Sequence, residues 1–184
     1  MLTNSAVIIS QTKRWITDVV VGCNFCPFAS REVKRDSIYY EVLWAATLET
    51  VLPAVAITLQ KLDDDSGIET ALLILPESFD SFTTYLEMVD LAESLLEQEG
   101  YEGIYQLASF HPEYLFAGTT DDDPSNYTNR SPHAMLHFLR EESVSNAVDN
   151  YPGIDDVPDN NIKFTQEKGI IYMKQLLASC MKID

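Results

Sequence analysis

Apolar residues recur at helical spacing over residues 5–21, where Ile8, Ile9, Trp15, Ile16, Val19 and Val20 predict a helix with Gly22 as its C′ stop. Pro27 opens a short predicted helix running to about Arg35, with Cys26 near its N-cap. Residues 37–44 are rich in β-formers and predict a strand. A helix over about 48–62 follows, then a turn at Asp63–Gly67 and a short apolar run, Thr70–Leu75, that predicts a buried strand. Residues 79–98 carry the clearest amphipathic pattern, with Phe82, Tyr85, Leu86, Val89, Ala92 and Leu96 on one broad face. Gly103–Ser109 predicts a third strand. Ser131 as N-cap and Pro132 at the first position predict a helix to about Val148, and a terminal helix is expected over about 164–182.

Strands that alternate with helices favour parallel neighbours joined by crossovers. The expectation is a single α/β domain over residues 1–184, with a small, three- to four-stranded, mainly parallel sheet packed with helices and two C-terminal helices. Ligands in such folds gather beyond the carboxyl ends of strands.

Composition narrows the partners. A formal net charge of −17 leaves nothing to neutralise a polyanion, so nucleic acid is disfavoured. No apolar run is long enough to span a bilayer, and residues 1–21 lack the basic and uninterrupted apolar regions of a secretion signal. Three cysteines, an odd number, fit a reducing compartment better than a disulfide framework. The expected location is the cytoplasm. Oligomeric state is not legible.

Candidate chemistry concentrates between Ala108 and Ser143, which holds all three histidines and a long run of Asp, Asn, Thr and Tyr without periodicity. Long loops in compact domains tend to be functional or disordered, and Phe110, Tyr114, Phe116 and Tyr127 favour the first. His111 is a candidate general base near neutral pH. Arg130 and Ser131, at a predicted helix start, could hold an anion, since free N–H groups and a guanidinium converge there. His133 and His137 are spaced to share one helix face and could grip a metal, and Asp121–Asp123 offer hard oxygen ligands. Neither set completes a metal site alone, and no cofactor follows from the sequence. Cys23-x-x-Cys26-Pro27 resembles a dithiol motif, though it follows a helix pattern rather than a strand.

The segments Asn24–Ala29, Gln106–Pro112 with Phe116–Gly118, and Asn126–Pro132 with Met135–His137 and Leu139–Glu141 together make the chain resemble the uncharacterised bacterial domain-of-unknown-function 1415 family, over nearly its whole length. The resemblance implies no established activity. Cys26, His111, Asn126, Arg130 and His137 match the family pattern. Cys23 stands where an aliphatic is usual, and His133 where an aromatic is usual.

The functional expectation is an enzyme acting on a small anionic metabolite. Cys26, His111 and His137 would be its catalytic groups, and Asn126, Tyr127, Arg130 and Ser131 would bind the ligand. Two other readings stay open: a non-catalytic module for a small ligand or metal, and an acidic interaction protein whose polar loop is a structural clasp.

Overall fold

The computed structural model describes residues 4–182. Among them are α1 (Asn4–Trp15), α2 (Ala29–Arg35), β1 (Ile38–Val42), α3 (Leu48–Asp64), β2 (Thr70–Leu75), α4 (Phe82–Gln98), β3 (Tyr105–Phe110), β4 (Ala134–Arg140), α5 (Glu141–Asp149) and α6 (Val157–Cys180). Every position of β2 is buried, as a short apolar run between turns should be.

The sheet order is β1-β2-β4-β3. β1 and β2 pair in parallel, with Ile38 opposite Thr70. β4 then pairs antiparallel with β2 (Leu139 opposite Thr70) and with β3 (Arg140 opposite Tyr105). The mainly parallel sheet expected from the sequence is therefore corrected to a mixed one. β1, β2 and β3 do run the same way, but β4 lies between β2 and β3 and makes both of its pairings antiparallel.

The cause is the segment read as a helix from Ser131 onward. Met135, Leu136, Phe138 and Leu139 mimic helical spacing. A central strand covered on both faces also reads as a near-continuous apolar run, and that is what they form. The helix begins only at Glu141.

Alternation along the strands fills two layers. Leu73, Leu75, Leu136 and Phe138 face α3 and α4, where Val55, Leu59, Tyr85 and Met88 are wholly buried. Leu72, Ile74 and Met135 face the other way, onto Trp15, Val19 and, from α6, Met173.

Two glycines are required by geometry. The first helix continues beyond Trp15 as a π-helical segment, Ile16–Val21. Gly22 closes it in right-handed conformation (φ −63°), not the left-handed C′ geometry expected. A Cβ there would stand 2.3 Å from the Asp18 carbonyl oxygen, so close approach selects glycine. Gly169 (φ 78°) breaks α6 with a left-handed kink that other residues rarely adopt.

Candidate functional site

Pro76 ends β2, and the turn after it is strained: Glu77 and Phe79 both have φ 57° without being glycine. Such backbone costs about 1–3 kcal/mol per residue and persists only where the surroundings impose it. Two contacts impose it here. The Ser78 hydroxyl accepts from the Ala46 N–H (2.9 Å) and donates to the Pro76 carbonyl (3.3 Å). The Phe79 carbonyl accepts from His111 Nε2 at 2.9 Å.

His111 follows the last residue of β3 and is 1% exposed. Its Nδ1 accepts the Glu113 N–H at 3.0 Å, so Nε2 carries the ring proton. Phe82 and Tyr85 pack on the ring. Burial holds its pKa below the usual histidine value, with the Phe79 carbonyl opposing in part. Both nitrogens are engaged by backbone.

The loop from His111 to His133 is tied to itself. Asn126 is fully buried; its Oδ1 accepts from the Phe116 N–H (3.0 Å) and the Thr119 hydroxyl (2.9 Å), and its Nδ2 donates to the Thr120 carbonyl (2.9 Å). Asp123 caps the short 3-10 turn Pro124–Thr128 by accepting from the Ser125 N–H at 2.9 Å. Ser131 donates to the His133 carbonyl (2.6 Å). Arg130 donates through Nε to the Tyr114 carbonyl (3.0 Å) and lies over the Tyr127 ring, 4.9 Å from its centroid. No helix begins at Ser131, so the anion site expected at a helix start is absent there.

His133 precedes β4, and its Nε2 lies 2.8 Å from Oε1 of Gln11 on α1. The Gln11 amide nitrogen donates to the Met181 carbonyl just beyond α6 (2.9 Å), which leaves Oε1 to accept from His133. Nε2 of His133 therefore carries the proton and Nδ1 is an acceptor. No group among the described residues partners Nδ1, and no sealed side-chain nitrogen or oxygen among them lacks a partner, so Nδ1 is not closed off from solvent. Burial lowers its pKa to about 4, which keeps the ring neutral.

His111 and His133 meet at a cleft of about 610 Å³. Gln11, Ser78 and three acidic side chains, Glu77, Asp80 and Glu113, supply the rest of its polar wall. Val7, Ile8, Leu75, Phe79 and Met181 are among its apolar lining. The cleft opens at the carboxyl ends of β2 and β3, where an α/β sheet is expected to bind ligands.

The other expected residues lie elsewhere. His133 and His137 do share one side of the sheet, but along a strand, about 13 Å apart at the ordinary rise per residue. His137 donates through Nε2 to the Thr70 hydroxyl (2.6 Å), because that hydroxyl spends its own proton on the Phe138 carbonyl (2.6 Å). Burial lowers the His137 pKa to about 4. The helical two-histidine metal pair is thus not formed, and no group of three or more His, Cys, Asp or Glu among the described residues is arranged to hold a metal ion.

Cys26 is partly buried and three positions ahead of α2, whose N-cap is Phe28 rather than Cys26. The neighbouring Phe25 binds Asn161 (2.9 Å) and packs on Phe164, near the start of α6, whereas His133 is tethered to its far end. All three cysteines are free, and burial raises the pKa of Cys23 and of Cys180.

Sequence reasoning missed Gln11 and the Glu77–Asp80 turn. Gln11 left a signal: a polar residue at a core-facing position between Ile8 and Trp15. The turn left none, since neither Glu77 nor Phe79 advertises positive φ.

The fold and cleft define an α/β protein with a small-molecule-sized hollow at the carboxyl edge of a mixed sheet. The chain matches the family model described as protein of unknown function (DUF1415) over residues 7–175, and it belongs to that family. No curated protein and no solved structure matches it. No helix among the described residues is long and apolar enough to cross a membrane.

Proposed function

We propose that this protein binds a small organic molecule in the cleft between the Glu77–Asp80 turn and His133. The observation that carries the reading is the fixed tautomer of His133: Gln11 occupies one ring nitrogen and leaves the other free beside a hollow of about 610 Å³. Clefts of this size suit metabolites, and one well-placed acceptor among apolar walls gives orientation. The strained turn on the facing wall supports the same reading, because strain of this kind clusters at ligand sites.

The ligand class follows from the lining. Glu77, Asp80 and Glu113 line the cleft, and neither lysine nor arginine does. An anion would be repelled there, whereas a neutral donor or a cationic nitrogen would be held. This differs from the anionic metabolite expected from the sequence. Binding is also favoured over catalysis by Cys26, His111 and His137, since backbone groups engage both nitrogens of His111, His137 is bonded to Thr70, and neither His137 nor Cys26 lines the cleft. A histidine with a pKa of about 4 is an acceptor first and only a weak base. The three free cysteines support a reducing, cytoplasmic setting.

A thermal-shift screen of amine- and hydroxyl-bearing metabolites tests the proposal, because a ligand that binds only the folded state raises the melting temperature. A hit should stabilise the native protein and lose most of its effect on the folded His133→Ala variant. Equal shifts in both proteins would sink the reading.

A further inference from the structure

We propose that the guanidinium of Arg130 is an oxyanion site for a carboxylate or phosphate group. Arg130 is not among the residues lining the cleft, so this goes beyond the reading above. Arg130 is 8% exposed. A buried cation ordinarily has an acid beside it, because its desolvation is otherwise uncompensated. This chain has 29 acidic residues against 12 lysines and arginines, yet no acidic side chain among the described residues pairs with Arg130.

The group is held in place from several sides. The Arg130 backbone N–H donates to the Asn126 carbonyl (3.0 Å), and the Arg130 backbone carbonyl accepts from Trp15 Nε1 (3.1 Å). Nε is fixed by the Tyr114 carbonyl at 3.0 Å, and the guanidinium lies over the Tyr127 ring, 4.9 Å from its centroid. The two terminal nitrogens have no partner among the described residues. Since no sealed polar side-chain atom among them goes unpartnered, these nitrogens are not closed off from solvent. Paired N–H donors on a rigid fork are the geometry that takes a carboxylate or phosphate through two parallel hydrogen bonds. The net charge of −17 repels anions from the rest of the surface, so saturable anion binding would have to be local.

Trp15 is a built-in reporter, since its indole bonds directly to the Arg130 carbonyl. Trp44, half-exposed and bonded to Ser5, is removed by Trp44→Phe so that Trp15 is the sole indole. Inorganic phosphate and acetate are titrated separately into this protein at constant ionic strength, with chloride as the baseline. The expected result is a saturable change in Trp15 emission with at least one of them, and which anion acts names the class. Adding Arg130→Met should weaken the response at least about tenfold, and Arg130→Lys should restore part of it. His133→Ala should leave the response intact, which separates this site from the cleft. No saturable response to either anion, or an unchanged response in a folded Arg130→Met protein, overturns the proposal. If Arg130→Met does not fold, Arg130→Lys decides: a weakened but saturable response in that folded variant supports the site, and an unchanged response refutes it.

Discussion

Nε2 of His133 stands 2.8 Å from Oε1 of Gln11, and the Gln11 amide is itself fixed by the Met181 carbonyl. One side chain of α1 thereby sets the tautomer of a histidine at the entry to β4. Replacing Gln11 with Glu would put a carboxylate against the ring and favour the imidazolium. The titration midpoint of His133, followed by NMR, should then rise from about 4 towards neutrality. Gln11→Leu should cost about 1–2 kcal/mol in urea unfolding, because it strips a buried ring of its partner.

Stability should fall in mild acid. His133 and His137 both have folded pKa values lowered to about 4 by burial, against 6.5 for the free side chain. Between those values the unfolded chain binds more protons than the folded one, so stability is complete above about pH 7 and is lost as the pH drops towards 4. At about pH 5 the His133 contribution alone should be down by about 2 kcal/mol. His133→Gln should show a shallower loss than the native protein in urea unfolding at about pH 7.5 and about pH 5. Parallel curves for the two proteins would refute the assignment.

Asn126 is the knot of the loop. It is wholly buried, with three hydrogen bonds to Phe116, Thr119 and Thr120. Asn126→Ala should destabilise by about 2–4 kcal/mol, because those groups lose a shared partner inside the protein. Hydrogen exchange should accelerate at the Phe116 amide, with little change at Leu73 in β2.

The cysteines should react in a fixed order. Cys26 is the most accessible, while Cys23 and Cys180 are buried and burial disfavours their thiolates. Iodoacetamide at neutral pH should therefore modify Cys26 first, read by peptide mass spectrometry. Prior labelling of Cys23 or Cys180 would contradict this placement.

Most elements were readable because they follow one periodicity. The amphipathic faces of α3 and α4 and the apolar run of β2 each point to one neighbour. β4 was not readable. Its Met135, Leu136 and Phe138 are buried, with Leu136 and Phe138 in one core layer and Met135 in the other, which erases alternation and imitates a helix. That one segment changed the sheet from mainly parallel to mixed and separated His133 from His137. The loop from His111 to His133 is legible in the sequence as ordered and rich in polar groups. Whether Asn126, Ser131 and His111 face a ligand or one another depends on how the loop folds back on itself, and spacing does not encode that. Gln11 was visible as a polar residue on an apolar helix face, but its partner lies more than a hundred positions away.

The most direct measurement is the ¹⁵N spectrum of the three imidazoles in labelled protein at neutral pH, before and after addition of a cleft ligand found by thermal shift. His133 should show a protonated Nε2 and an unprotonated Nδ1, and the ligand should move the Nδ1 signal while leaving His137 unchanged. A proton on Nδ1 in the free protein, or an Nδ1 signal indifferent to the bound ligand, would contradict the account.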